Sequence, residues 1–286
     1  MNPILLKKHL DKLYISFDRR SVSPDPLEFL HRYKNPLDQE IVGLIASSLA
    51  YGKVEIILRN ISHVLSVMGA SPYKFTINFD PVAQAGLFSG FSHRFNKGRD
   101  IVCLIYFAKQ IIDENGSVYN FFLKGYNPGD ENIRPALVSF SRRVLSLSPS
   151  TIYNKRGTLP EGAGVRFFFP SPEQGSSCKR LNLYLRWMVR RKDVDLGLWK
   201  GIEPAKLIIP LDTHIARISG NIGLTKRKSP GWKMAEEITD NLRKLDFSDP
   251  VKYDFSLCRL GILDRCTRKK DKEKCSFCLI KRVCVL

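Results

Sequence analysis

Cys266-Thr267-Arg268-Lys269-Lys270-Asp271-Lys272-Glu273-Lys274-Cys275-Ser276-Phe277-Cys278-Leu279-Ile280-Lys281-Arg282-Val283-Cys284 sets four cysteines apart by eight, two and five residues. Spacings this short let four thiolates wrap one metal centre without closing a long loop. The segment therefore reads as a metal site in a reducing compartment rather than a set of disulfide staples. Two fillings satisfy four thiolates, a tetrahedral zinc ion and a 4Fe–4S cluster, and spacing separates them poorly. Cys103, Cys178 and Cys258 sit in other surroundings and read as small core residues.

Outward from that tail, helical periodicity dominates. Asp38-Gln39-Glu40 makes an acidic start to an apolar face of Ile41, Leu44, Ile45 and Leu49, and Val54 to Met68 repeats the i, i+3, i+4 spacing. Ala50-Tyr51-Gly52 is a tight break between them. Further amphipathic stretches predict helices over 101–112, 132–147, 179–191, 213–222, 232–245 and 253–262. With no alternating strands and no βαβ unit, the expected fold class is all-α. Two connections rich in Pro and Gly, 148–175 and 193–210, interrupt the helices.

The 286 residues carry 46 Lys+Arg against 28 Asp+Glu, a formal charge of +18. The segment from Lys179 onward holds 25 of those bases against 13 acids, so the second half would face a polyanion. A lysine-rich surface that only keeps the protein soluble is the bland alternative. A hydrophobic fraction of 43% excludes disorder as the main state. The longest apolar run, Ile101 to Ala108, falls far short of the roughly 20 residues that span a bilayer. A soluble cytoplasmic protein, nucleoid-associated and monomeric, is expected. The Gly175 turn feeds directly into Lys179 and Arg180 at the head of a basic helix, an arrangement that suits a phosphate.

The cysteine tail resembles that of the endonuclease III-like helix-hairpin-helix DNA glycosylases, whose cluster loop has gaps of six, two and five residues. The last two gaps match; the first is longer here and rich in lysine. A second stretch, Ile209-Pro210-Leu211-Asp212-Thr213-His214-Ile215-Ala216-Arg217-Ile218, is similar to that family's Val-Asp-Thr-His segment. The family's usual Leu-Pro-Gly-x-Gly-x-Lys hairpin is absent. Leu159-Pro160-Glu161-Gly162-Ala163-Gly164 looks a little like it but has no following lysine. The whole pattern, from about Asp38 to Leu286, looks most like an uncharacterised bacterial and archaeal branch, with some similarity to archaeal 8-oxoguanine glycosylases.

The resemblance implies a two-lobed helix-hairpin-helix fold with a C-terminal 4Fe–4S loop held by Cys266, Cys275, Cys278 and Cys284. The central lobe would cover 36–200, and 1–35 would join 201–286 in the second. Asp212 would be catalytic, stabilising the positive charge that builds on the sugar as an N-glycosidic bond breaks. Asp212 as a plain helix cap is the competing reading. Lys179, 33 residues before it, would attack C1′ as a neutral amine and form a Schiff base; otherwise it contacts phosphate. The insert accounting for that separation would run from Asp193 to Lys206. DNA contacts are expected from Tyr51, Gly175, Arg180, His214, Lys269 and Lys270. Tyr51 would fill the gap left by an everted base, or simply pack between helices, and Trp187 would stack on that base or lie in the core.

The function this implies is a base-excision-repair DNA glycosylase with AP-lyase activity on duplex DNA bearing a damaged base, 8-oxoguanine first. Two alternatives stand beside it: a monofunctional, water-directed glycosylase, and a non-catalytic, zinc-stabilised nucleic-acid-binding protein.

Overall fold

The computed structural model describes residues 2–285 other than 155, 193, 264, 265, 267 and 268. Asp193, where the expected insert begins, and Thr267 and Arg268 of the cysteine loop lie outside the described residues. The described chain is mostly helical, with one two-stranded hairpin, β1 Ser92–His93 against β2 Asn96–Lys97. The all-α expectation therefore holds at that level. No described helix is long and apolar enough to cross a membrane.

Helix α1, Pro3–Ile15, starts where Asn2 accepts the Ile4 and Leu5 amides and Pro3 supplies a preset φ. Its Leu6, Leu10 and Leu13 face inward at i, i+4, i+7, and the helix packs on the C-terminal elements described below. Helix α2, Pro36–Ser48, is capped by Asn35 in the same way but is buried along most of its length. Helices α3, Val54–Met68, and α4, Pro72–Ile77, follow. Then come α5, Gly98–Asn115, α6, Val118–Leu123, and α7, Arg134–Leu145.

The acidic start of α2 has a different use from the one its position implies. Asp38 accepts the Ser71 hydroxyl and the Tyr73 amide, and so holds the head of α4. Glu40 is buried and accepts the Val118 and Tyr119 amides and the Trp199 indole N–H, capping α6 across the fold. Burial pushes the Glu40 carboxyl up, against those three donors. Removing a partner from such a buried carboxylate costs more than the bond itself is worth.

The remaining helices are α8, Lys179–Val189, α9, Thr213–Asn221, α10, Trp232–Arg243, α11, Asp254–Ile262, and the short α12, Lys272–Ser276. Helix α8 packs across α2 at Gly43, where an added Cβ would lie 2.9 Å from Met188 Cε and 3.0 Å from Tyr184 Cε2. Trp187, Tyr184 and Met188 are fully buried there, so Trp187 belongs to the core and not to a base-stacking surface. Helix α9 packs on α11, and α1 packs on α11 and the turn at 281–283. Buried apolar side chains run as one cluster from Leu6 to Val283.

Beneath these helices lies a buried ionic network. Arg186 pairs with Asp195 and Asp254, and Arg190 with Asp195 and Asp249. Arg186, Arg190 and Asp195 each hold two partners, which such burial demands. The network fixes α8 to the start of α11.

Candidate active site

A cleft of about 900 Å³ opens between the loop at 24–26, the turn between α2 and α3, and helices α8, α9 and α11. Lys179, Asp212, His214 and Tyr51 all line it. Tyr51, Lys179 and the Asp212-Thr213-His214 segment are far apart in sequence, and the folding of α8 and α9 around α11 brings them together.

Lys179 stands in the first turn of α8. The helix starts abruptly because Cys178 takes a left-handed conformation at φ 48°, buried with its thiol against the Pro170 and Ser176 carbonyls. Gly175, at φ 74°, turns the chain just before, and its carbonyl accepts the Trp232 amide at the head of α10. The Lys179 Nζ donates to the Ala50 carbonyl at 2.9 Å, and no carboxylate of the described residues lies within ion-pair distance. The amine is thus held in the cleft by a neutral acceptor.

Asp212 caps a helix, the competing reading of its sequence, and also lines the cleft. Its Oδ1 accepts the Ile215 amide at 2.8 Å and caps α9, while its Oδ2 accepts the Cys258 thiol at 3.4 Å from α11. Burial, then the Asp212 and Asp254 charges, push the Cys258 thiol well up, so it stays protonated and remains a donor. Burial pushes Asp254 up to about 6, with Arg186 pulling against it and Asp212 adding to it.

Helix α11 organises this side of the cleft. Asp254, Cys258 and Gly261 lie at i, i+4, i+7 on one face. At Gly261 an added Cβ would lie 2.1 Å from the His214 Nδ1, so the imidazole rests directly on the glycine backbone. Arg259, beside Cys258, donates to the carbonyls of Ser21, Ser23 and Pro24. That grip holds the loop carrying Asp25 at the cleft. Asp25 caps the turn at 26–32 through Oδ1 and the Leu27 amide, and its carboxyl lines the same cavity as Lys179 and Asp212.

Asp25, Asp254, Cys258 and Arg186 were not among the sequence candidates. Asp25-Pro26 has the form of a helix cap, and Cys258 reads as a core thiol.

The expected DNA contacts divide. Gly175, Lys269 and Lys270 are exposed. Arg180 is corrected: its guanidinium is buried against the Ser48 and Phe167 carbonyls and over the Phe167 ring, and burial pushes it down to about 10. It braces the cleft wall from within and offers no cation to solvent. Tyr51 packs against His93, Phe95 and Phe167 and donates its hydroxyl to His93 O and Asn96 Oδ1, while one edge still lines the cleft.

The four tail cysteines line a second cavity of about 340 Å³ with Ile218, Asn221, Lys270 and Lys272. Arg217 of α9 donates to the Cys266 Sγ at 3.1 Å and to its carbonyl at 3.0 Å. Burial, with Cys266, Cys284 and Cys275 adding to it, pushes the Cys278 thiol up. Among the described residues no three Cys, His, Asp or Glu side chains draw close enough to grip a single ion.

A family model described as Protein of unknown function (DUF2400) matches residues 25–263. The chain belongs to the DUF2400 family. The DUF2400 match begins at Asp25, takes in Lys179, Asp212, Cys258 and Gly261, and ends before the first tail cysteine. No curated protein and no solved structure matches the chain.

This overturns the assignment to the helix-hairpin-helix glycosylases, for no model of that family matches. The resemblance rested on two short motifs. An Asp-Thr-His segment is what any well-capped helix can carry, as Asp212 on α9 demonstrates. The cysteine spacing departs from the family's at its first gap and lies outside the matched range, and the defining hairpin is missing.

Proposed function

We propose that this DUF2400 protein is a base-excision DNA glycosylase with AP-lyase activity, in which Lys179 is the nucleophile and Asp212 the partner carboxylate. The observation that carries the reading is one cleft of about 900 Å³ lined by both an amine without a carboxylate partner and a carboxylate fixed by two donors. The formal charge of +18 supports a polyanionic partner, duplex DNA bearing a damaged base. Division into a lobe of 36–200 and a lobe of 1–35 with 201–286 would give Lys179 to one side and Asp212 to the other.

In the proposed reaction the Nζ lone pair bonds to C1′ of an everted nucleotide, and the glycosidic bond breaks with its electron pair leaving on the base. The new ammonium loses a proton to Asp212, which returns it to O4′ as the sugar ring opens. The product is a protonated imine between Lys179 and C1′, from which the 3′ phosphate is lost by elimination. Cys258 holds Asp212 through its thiol, and His214 on Gly261 fixes the first turn of α9 beside it.

We further propose that Cys266, Cys275, Cys278 and Cys284 hold a 4Fe–4S cluster. Zinc pulls thiolates to about 2.3 Å from one centre. A cavity of about 340 Å³ that all four thiols line leaves room for the larger group. Such a cluster would tie the tail to α9 through Arg217.

The test is borohydride reduction on duplexes bearing 8-oxoguanine, thymine glycol, uracil or an abasic site. The wild type should form a covalent adduct on one lesion and on the abasic site, and Lys179→Gln should lose it by on the order of 10³-fold. Base release without any adduct would favour the water-directed reaction; an unaffected Lys179→Gln would remove the lysine from the mechanism.

A further inference from the structure

Of the four carboxylates that line the cleft with Lys179, Asp254 is tied up in its ion pair with Arg186 and Glu55 is exposed in the first turn of α3, which leaves two of unlike surroundings. Asp212 is held by two donors at the head of α9. Asp25 reaches the cavity from the other end of the chain, on a loop whose three preceding carbonyls at 21, 23 and 24 are clamped by Arg259. Its Oδ1 takes the Leu27 amide at 2.9 Å, and its Oδ2 accepts no hydrogen bond from the described residues. A cap needs only one oxygen and gives no reason for the second to line a cavity.

The chemistry leaves one role open. When the C1′–N bond breaks, the base departs with an electron pair and needs a proton, and departure as an anion is slow. Asp212 is already occupied with the proton that Lys179 sheds. We propose that Asp25 is the acid of this site, giving its proton to the departing base as the glycosidic bond breaks. The inference rests on the glycosylase reading above. In that step the Asp25 O–H bond breaks, the proton joins the nitrogen that carries the leaving pair, and Asp25 is left as a carboxylate facing Lys179 and Arg186. Solvent returns the proton after the base has left.

The surroundings favour a carboxyl that starts protonated. Burial at the cleft wall raises the Asp25 acid, and it stays raised although the Leu27 amide and the charges of Arg186, Arg259 and Lys179 pull the other way. Once the proton has gone, those same cations stabilise the carboxylate that remains. Two carboxyl groups in one site with separated roles are the common pattern of acid and base assignment.

The experiment compares two reactions of the full-length protein, wild type and Asp25→Asn. Asparagine keeps the cap on the 26–32 turn and removes the proton. Single-turnover base release from the lesion duplex that wild type processes should fall by on the order of 10²-fold. Borohydride trapping on a preformed abasic site, where no base leaves, should stay within about threefold of wild type. Asp25→Ser, which also caps, should reproduce both results. Unchanged base release overturns the proposal, and so does equal loss of both reactions, which marks Asp25 as merely structural. Wild type that neither releases base nor forms an adduct overturns the glycosylase reading itself, and the acid role with it.

Discussion

The cleft and the cysteine tail hold reactive side chains in opposite ways. In the cleft every group rests on protein: Lys179 on the Ala50 carbonyl, Asp212 on the Ile215 amide and Cys258 thiol, His214 on Gly261, and the Asp25 loop on Arg259. In the tail, Arg217 grips Cys266 and His9 of α1 meets the Leu279 carbonyl, around a cavity that the four thiols line. The contrast teaches that the cleft is organised by its own fold, whereas the tail, on the proposed reading, would depend on the group its thiols hold. The DUF2400 match, which spans the cleft and stops at residue 263, follows the same boundary.

The sharpest way to break that comparison is to empty the tail. Chelation, or Cys278→Ser, should expose 266–284 to proteolysis and lower stability by several kcal/mol, on the order expected for a structural metal group. Circular dichroism should keep nearly all its helical signal, because α2 to α11 share a core that includes none of the four thiols as fully buried residues. Metal analysis of the untreated protein should find iron. A tail that stays protease-resistant after complete metal removal, or that carries zinc, would erase the distinction.

The next largest effect tests the cleft's own organisation. Gly261→Ala drives a methyl into the His214 ring and should cost about 1–3 kcal/mol, measured by thermal or urea unfolding. Base release should fall further than stability accounts for, because α9 carries Asp212 at its head. An unchanged melting temperature would mean that α9 and α11 are not in close register.

The smallest effect is a pH dependence. The folded Asp254 carboxyl lies at about 6 against an ordinary 3.8, so the folded state binds its proton more readily. Its contribution to stability is greatest below about pH 4, is lost as pH rises through about 6, and is flat above. Subtracting the melting temperature of Asp254→Asn from that of wild type at each pH cancels the other groups. The difference should rise on going from pH 7.5 to pH 4.5; a constant difference would contradict the burial argument.

Much of the fold was legible because helix periodicity survives in the sequence. Eight amphipathic stretches, from Ile41 to Ile262, fall on α2, α3, α5 and α7 to α11, with ends shifted by a few residues where caps such as Asn35 and Asp212 decide them. The short helices α4 and α6 were not, because each is held by a carboxylate of α2 and carries too few turns for a period of its own. The hairpin at 92–97 escaped for a similar reason: buried His93 and Asn96, tied to Tyr51 and Asn60, hold it instead of an apolar alternation.

The site was legible in part. Asp212 and Lys179 stood out by residue type and neighbouring turns, and the cleft brings them together. Arg180 beside Lys179 looked equally exposed, yet one residue along a helix turns about 100° and carries it inward. Asp25 and Cys258 gave no local signal, since a cap and a core thiol look the same in sequence whether or not a cleft passes them. The family assignment failed because two short motifs carried it, and the Asp212 segment has a structural reason of its own as the cap of α9.

Peptide mapping of the borohydride-reduced complex is the most direct test of the central claim. After digestion of protein and DNA, the account predicts a single sugar-derived mass increment on the peptide that carries Lys179, with none on its neighbours. An increment on another lysine or on the N-terminal amine would contradict the assignment of Lys179 as nucleophile.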